Sequence, residues 1–117
     1  CGFMFGKEEG PDRIISSIRA VNNSSDQNKE RRFAISPRDY MDAEKTAIEN
    51  HVELLGVYHS HPGHPSVPSE TDRQVAQPFF SYLIVSVVNG DWADTRSWRL
   101  TDERQFEEEQ LTNKISN

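Results

Sequence analysis

The 117-residue chain has a net charge of −6, and its longest basic run is Arg31-Arg32. It therefore lacks the positive footprint that nucleic-acid binding needs. No apolar run approaches the roughly 20 residues that span a membrane, and a single cysteine allows no internal disulfide, which favours a reducing, cytoplasmic location. The length suits one domain over residues 1–117, with a core that needs no disulfide.

The first third of the chain predicts a β-hairpin followed by a loop and a short strand. The apolar run 1–5 (CGFMF) predicts a buried strand, and the breakers in 7–12 predict a turn. The β-branched residues of 13–22 predict the partner strand of the hairpin. Residues 23–30 are polar and predict a loop, and 32–35 predict a third, brief strand.

A helix is predicted over about 37–52. Ser36 followed by Pro37 is typical of a helix start, since serine caps the first turn and proline suits its first position. Apolar residues then recur near helical spacing. They are Tyr40, Met41, Ala43, Ala47, Ile48 and Val52. His51, near the end of this helix, is interpreted as a surface residue or a partner of the helix dipole.

The second half of the chain alternates strands with a short helix. A strand is predicted over 54–61, and a helix over 69–77 that is stopped by Pro78. The continuous apolar run 82–88 (YLIVSVV) predicts a central strand covered on both faces.

The chain then predicts a turn at Asn89-Gly90 and a pairing strand over 95–100. Residues 103–114 fit either a closing helix or an edge strand, and 112–117 a frayed tail. Strands outnumber helices, and the long helix lies between them. The predicted class is therefore α/β, with a mixed, twisted β-sheet flanked by helices.

Two histidines and a carboxylate indicate a metal site after the 54–61 strand. His59 and His61 are two apart, so an extended strand points both imidazoles to one side. With Asp72 they would make the three protein ligands of a catalytic zinc ion, whose fourth position holds water. Ser69, one helical turn before Asp72, could donate a hydrogen bond to the oxyanion that develops on an attacked carbonyl.

Each part of this pattern also has a structural interpretation. Two alternating histidines can simply form a polar strand face, and Ser69 with Asp72 fits a helix capping box. The two interpretations can coexist, because a cap also fixes the direction of the first turn. His64 is a possible third imidazole, but the Gly63-His64-Pro65 loop is expected to be flexible, which favours a place at the rim of the site.

The whole stretch is more specific than its parts. The HSHP motif from His59, six further residues, and then Ser69-x-x-Asp72 resemble the signature of the JAMM (MPN-plus) metalloprotease family. The opening CGFMFG, the YLIVSV run and the later WRL resemble other strands of that family, so the resemblance covers nearly the whole chain. It implies a JAMM/MPN-like fold, zinc bound by His59, His61 and Asp72, and Ser69 stabilising the tetrahedral intermediate.

The resemblance also implies a substrate class. Family members hydrolyse amide or isopeptide bonds after the C-terminal tail of ubiquitin or ubiquitin-like proteins. Compact members, which this chain resembles, are bacterial or archaeal enzymes that act on sulfur-carrier or related conjugates. An extended tail would be held by strand addition at a sheet edge. The loops at 23–30 and 62–68 are candidates for contacting it.

One element of the family pattern is not in this sequence. The general-base glutamate of the family lies just before the CG of the first strand, a position that precedes Cys1, so an N-terminal truncation is expected. Glu8 and Glu9 are poor substitutes, because a strand advancing about 3.3 Å per residue puts them roughly 20 Å away. Cys1 itself is interpreted as a buried strand residue, the alternative being an N-terminal nucleophile.

Three other classes of protein compete with a zinc hydrolase. A nucleobase deaminase is excluded, since it needs His-x-Glu and Pro-Cys-x-x-Cys motifs that the chain lacks. A non-catalytic binding module of the same fold would not be expected to keep the full set of site residues. A structural zinc domain would close the site with a fourth ligand, such as His64, and would unfold on chelation.

Overall fold

The computed structural model describes residues 1–23 and 34–112. Within them, six strands form one sheet, and two helices lie between strands in the chain. The elements are β1 (Gly2–Glu9), β2 (Asp12–Ala20), α1 (Pro37–Glu49), β3 (Glu53–Pro62), α2 (Glu70–Val75), β4 (Ser81–Val88), β5 (Asp91–Leu100) and β6 (Phe106–Glu109).

The sheet is mixed, which confirms the predicted fold class. Its strand order is β2-β1-β3-β4-β5-β6. Strands β3 and β4 are parallel, and every other pair of neighbours is antiparallel. Parallel neighbours require a crossover, and α2 provides it. The loop after β3 therefore lies at the carboxyl ends of two adjacent parallel strands, the usual location of ligand sites in α/β sheets.

The hairpin at the start of the chain is longer than the sequence predicts. Residues 7–12 are not a six-residue turn, because β1 continues to Glu9 and pairs it with Asp12. Only Gly10 and Pro11 form the turn, and Gly10 has a φ of 59°. A positive φ at the first turn residue is the type II′ pattern, which joins strands with little splaying. The breakers Gly10 and Pro11 mark the turn correctly, but they do not show that the charged residues 7–9 before them continue the strand.

Helix α1 ends at Glu49, three residues earlier than predicted, in a Schellman motif. His51 has a φ of 55°, its N–H donates to the Ile48 carbonyl, and the Val52 N–H donates to the Ala47 carbonyl. His51 thus occupies the left-handed position that glycine usually takes. At the other end the Ser36 hydroxyl accepts from the Asp39 N–H, so the predicted cap is confirmed.

The core lies between one face of the sheet and the two helices. Its buried members are Phe3, Phe5, Ala43, Ala47, Leu54, Val57, Ala76, Phe80, Tyr82 and Leu100. Met41 and Ile48 contribute to the helical spacing of apolar residues in the sequence, but they are 70% and 76% exposed. Helix α1 contacts the core through Ala43, Ala47 and Tyr40, whose ring packs against Phe3 and Phe80, and its residues Met41 and Ile48 point outward.

Strand β4 is covered less completely than its apolar sequence predicts. Tyr82, Ile84 and Ser86 on one face are buried, whereas Leu83 and Val85 on the other face are half-buried. The predicted central strand is confirmed, but of its two faces, both expected to be covered, one is only half-buried. The strands on either side of β4 cover part of its apolar side chains. A long apolar run therefore does not require a packed layer on both faces of its strand.

The remaining elements agree with the sequence-based expectations in part. Strand β5 begins four residues earlier than expected, and residues 106–109 form an edge strand, the second of the two alternatives for 103–114. Of the brief strand predicted at 32–35, only residues 34 and 35 are described, and they are not in a strand. Most of the 23–30 loop and of the 112–117 tail lies outside the described residues.

Neither helix of the described part has the length and apolar character needed to cross a bilayer.

Replacing His51 with glycine should stabilise the protein by about 0.5 kcal/mol. The left-handed conformation costs a residue with a Cβ about 1–2 kcal/mol, of which the greater unfolded-state entropy of glycine offsets a part. Urea unfolding measures the change through the midpoint at constant m-value. Asn50→Gly is the matched control: Asn50 has a φ of −99°, so glycine there should destabilise. A destabilised His51→Gly variant would contradict the assignment.

Candidate metal centre

Strand β3 directs two imidazoles to one side of the sheet, as the sequence predicts. His59 and His61 are 5% and 7% exposed, and their Nε2 atoms are 2.9 Å apart. They lie on the face that also carries the core residue Val57, at the carboxyl end of the strand. The core therefore continues into the site, and the histidines are held between packed neighbours.

Helix α2 supplies the third group through its first turn. The Ser69 Oγ accepts from the Asp72 N–H at 3.0 Å, and Asp72 Oδ2 accepts from the Ser69 N–H at 2.8 Å. This is a complete capping box. The cap and the site prove to be the same structure, because the box turns the buried Asp72 carboxylate toward the histidines.

The three side chains converge on one point. Asp72 Oδ1 lies 3.6 Å from His59 Nε2, and Asp72 Oδ2 lies 3.4 Å from His61 Nε2. Zinc–ligand bonds of about 2.0–2.1 Å in a tetrahedron place ligand atoms about 3.3 Å apart. The two Nε2 atoms, 2.9 Å apart, lie slightly closer than that value, and the two distances to Asp72 lie slightly above it. The donor set therefore fits zinc in both chemistry and spacing. Among the described residues these three form the group of potential metal ligands.

A backbone carbonyl sets the tautomer of His61. His61 Nδ1 is 3.0 Å from the Pro65 oxygen. Because a carbonyl oxygen can only accept, the proton of a neutral imidazole must be on Nδ1, which leaves the Nε2 lone pair directed at the centre of the site. Metal-binding histidines are commonly oriented in this way.

The electrostatics of the three groups are coupled. Burial lowers the pKa of His59 below its ordinary value. The nearby Asp72 carboxylate favours the protonated form of His61, whose Nε2–H could donate to it, and so raises the pKa of His61. Burial alone would raise the pKa of Asp72, but its interactions with both histidines outweigh burial and hold that pKa far below its usual range. The carboxylate is therefore ionised at neutral pH, as a metal ligand must be.

Ser69 is exposed beside the buried carboxylate. Its oxygen accepts a hydrogen bond in the capping box, and this use leaves the hydroxyl proton available to donate. The side chain can thus cap α2 and present a donor at the edge of the site at the same time. The two interpretations of the Ser-x-x-Asp pattern are structurally compatible.

The other candidate residues are not in the group of potential ligands. His64 is exposed and is not in the group of potential ligands. Its loop, expected to be flexible, is hydrogen-bonded to β4, since the Ser86 hydroxyl donates to the His64 carbonyl at 2.5 Å. Glu8 lies at the far end of β1, where its N–H donates to the Glu53 carboxylate. Cys1 is half-buried, with its thiol 3.7 Å from the Val21 carbonyl oxygen.

An arginine that the sequence did not reveal holds the other end of α2. The Arg104 guanidinium donates to the carbonyls of Arg73 at 2.6 Å and of Gln74 and Ala76 at 3.4 Å. These carbonyls lack intrahelical partners at a helix C-terminus, where a cation is also favourable. Arg104 lies 28 or more residues away in sequence, so no local pattern connects it with the helix.

The fold and the site together describe one class of domain. It is a mixed α/β sheet with a buried His-His-Asp group that could hold a metal ion, and the two histidines lie at the end of a parallel strand. Comparison with known families makes the assignment specific. Residues 1–101 match the family of prokaryotic homologues of the JAB domain. The chain belongs to this family, and the resemblance to JAMM/MPN proteins is confirmed.

Individual relatives resemble the chain in sequence, and two solved structures also resemble it in fold. A desampylase of Pyrococcus furiosus is 25% identical over 108 residues, which cover 92% of this chain and 71% of the relative. A solution structure of a Desulfitobacterium hafniense protein has a TM-score of 0.82 at 32% identity, covering 98% of this chain and 77% of the other. A solution structure from Salinibacter ruber has a TM-score of 0.73 at 33% identity, covering 97% and 76%.

Replacing Arg104 with methionine should destabilise the protein by about 1.5–3 kcal/mol, the range for hydrogen bonds that involve a charged group. Methionine keeps much of the apolar stem but removes every donor. Denaturant unfolding measures the change, and Arg96→Met is the matched control. Arg96 makes ion pairs with Asp94 and Glu108 and is 46% exposed, so its loss should cost below about 1 kcal/mol. Equal losses would contradict the capping role of Arg104.

Proposed function

We propose that this protein is a zinc-dependent hydrolase that cleaves an amide or isopeptide bond at the C-terminal tail of a ubiquitin-like or sulfur-carrier-type protein. The observation that carries the proposal is the convergence of His59, His61 and Asp72, whose ligand atoms all lie within 4.8 Å of one another. Three ligands, without a fourth among the residues that the structure describes, suit an open catalytic site better than a closed structural one.

His59, His61 and Asp72 would be the three protein ligands of the zinc ion. Bound zinc supplies a Lewis acid and lowers the pKa of a coordinated water toward about 7. The protein contributes the shape and dryness of the site: both imidazoles and the carboxylate are at least nine-tenths buried. The Pro65 carbonyl keeps the His61 Nε2 lone pair available. The low pKa of Asp72 keeps this ligand ionised without external help.

Ser69 is proposed as the oxyanion donor. Its hydroxyl lies at the start of α2, one turn from the Asp72 ligand, on an exposed surface that a substrate carbonyl can reach. As the carbonyl becomes tetrahedral its oxygen gains negative charge, and an O–H aimed at that oxygen lowers the barrier. The capping box prevents the serine from turning away.

A general base is needed to take the proton of the attacking water and pass it to the leaving amine. Glu8 is unsuitable, because its neighbour Glu53 lies six residues before His59, or about 20 Å along the strand. The β1–β3 register limits where a base on this strand could lie. Gly2 is opposite Tyr58, so a residue directly before Cys1 would lie opposite Ser60, on the face away from the histidines. A residue two positions before Cys1 would lie opposite His61 and share the histidine face.

The substrate class rests on relatives. Membership in the prokaryotic JAB-homologue family and the similarity to a desampylase support a hydrolase that acts on ubiquitin-like modifiers. The acidic chain, with its net charge of −6, is compatible with a protein substrate that carries basic residues beside its tail. A non-catalytic binding module of the same fold is the competing function, and metal content separates the two.

Asp72→Ala should weaken zinc binding by more than about 100-fold, the upper end of the losses seen when outer groups of a metal site are removed. The purified wild-type protein should hold about one zinc ion per chain. Its hydrolysis of a ubiquitin-like protein joined through its C-terminus to a reporter peptide should stop on chelation and return with added zinc. Metal analysis and a competition titration measure binding, and circular dichroism checks the fold.

Asp39→Ala is the matched control for this change. Asp39 is the third residue of α1, as Asp72 is of α2. In both helices the N–H of this aspartate donates to the hydroxyl of the cap serine. Its loss should leave zinc binding unchanged. Stoichiometric zinc in Asp72→Ala would exclude the ligand assignment. A metal-free wild-type protein with no hydrolysis would favour the binding module.

Ser69→Ala should lower kcat by about 100-fold in the full-length protein, the loss expected for one oxyanion donor. Zinc content should stay near one per chain. Loss of the cap should also cost about 1 kcal/mol of stability. Steady-state kinetics at saturating substrate and metal analysis of the same sample measure the two effects separately.

Two further variants distinguish the oxyanion role from the cap. Ser36→Ala removes the equivalent cap of α1 and should cost similar stability without changing the rate. Ser69→Gly keeps most of the cap energy, since glycine at that position costs only a few tenths of a kcal/mol, yet it lacks the hydroxyl. A normal rate in Ser69→Gly would reduce Ser69 to a structural cap.

A further inference from the structure

The carbonyl that orients His61 belongs to a residue that cannot anchor itself. Pro65 has no backbone N–H, and its side chain is exposed. Because peptide units are planar, the direction of its carbonyl depends on how the adjoining residues are held. The residues on both sides of Pro65 therefore decide where the His61 hydrogen bond can point.

Both neighbours of Pro65 are tied to the sheet. On one side, the Ser86 hydroxyl of β4 donates to the His64 carbonyl at 2.5 Å. On the other side, the Trp98 indole N–H of β5 donates to the Ser66 carbonyl at 2.9 Å. The Ser66 hydroxyl in turn donates to the Asp94 carbonyl at 3.0 Å, and Ser66 is 1% exposed.

These contacts are well placed to act on His61. His61 and Ser86 are opposite each other in the parallel β3–β4 register, so the loop leaves β3 and is fastened to the strand beside it. Trp98 reaches the same loop from the next strand, over 32 residues of sequence. The Ser66 carbonyl to which it donates belongs to the peptide immediately after that of Pro65. A change in its position rotates the acceptor of the imidazole proton.

We propose that Trp98 and Ser86 are positioning residues, which hold the Pro65 carbonyl and thereby fix the His61 imidazole in the orientation and tautomer that a metal requires. This proposal rests on the metal site of the proposed function and extends it to two residues that touch neither metal nor substrate. They act through the peptide of Pro65, in the way that outer groups set the direction of metal-binding histidines.

The test is Trp98→Phe, which removes the indole N–H and keeps most of the aromatic ring. In the metal-free wild-type protein above the pKa of His61, ¹⁵N NMR of the imidazole should show the Nδ1–H tautomer. In Trp98→Phe the signal should shift toward a mixture of tautomers. The Kd for zinc, measured by competition titration, should rise about 10-fold, the lower end of the range for outer-group mutations.

Trp92→Phe is the matched control. Trp92 lies on the same strand as Trp98, and its indole N–H donates to Thr95 Oγ1 at 2.7 Å. The Trp92 side chain is 68% exposed, and its hydrogen bond stays within β5. This variant should keep the wild-type tautomer and the wild-type Kd for zinc. Equal shifts in both tryptophan variants would overturn the proposal, because they would show a general loss of packing.

A folded Trp98→Phe protein that keeps the wild-type His61 tautomer also overturns the proposal. If that variant does not fold, Ser86→Ala decides in its place, since it removes the hydrogen bond on the other side of Pro65 and should shift the tautomer in the same direction. The tautomer is read without metal. Failure of the wild-type chain to bind zinc would therefore reject the proposed function and leave the positioning of His61 separately measurable.

Discussion

The Asp72 carboxylate is the group on which the site and its surrounding fold depend together. One of its oxygens accepts the Ser69 N–H at 2.8 Å, closing the first turn of α2, and the same oxygen is 3.4 Å from His61 Nε2. The other oxygen is 3.6 Å from His59. A helix of six residues has little stability of its own. The carboxylate therefore both starts the helix and joins it to the strand that carries the histidines.

Other parts of the sheet hold α2 and the loop after β3 in place. The parallel β3–β4 pair requires a crossover, which brings α2 back over the carboxyl ends of the strands. Arg104, from the turn after β5, caps the C-terminus of α2, and Trp98 of β5 fastens the loop that orients His61. Strand β5 thus supports both segments that carry ligands, although it contributes no ligand itself. Buried polar networks of this kind specify one geometry when all members are satisfied.

Much of the fold could be predicted because local physics and tertiary structure agree. Ser36-Pro37 marks the start of α1, and Asn89 and Gly90 both have positive φ, as their turn requires. The errors occurred where solvent exposure was not encoded locally. Charged residues 7–9 continue β1 because an edge hairpin can be polar on both faces, and Ile48 is exposed because α1 uses its alanines against the sheet. The end of α1 could not be predicted from the sequence, because a histidine and not a glycine occupies the left-handed position after the helix.

The sequence by itself determined the chemistry of the candidate site: two histidines on one strand face, a serine and an aspartate one helical turn apart, and a spacing that matches one family. Those features are local, so periods of two and 3.6 residues suffice to derive them. Only the tertiary structure decided that the imidazoles and carboxylate meet within 4.8 Å. It also decided that Pro65, Trp98 and Arg104 support them. The contacts of Trp98 and Arg104 join residues about 30 positions apart, and the acceptors in all three cases are backbone carbonyls, which carry no sequence signature.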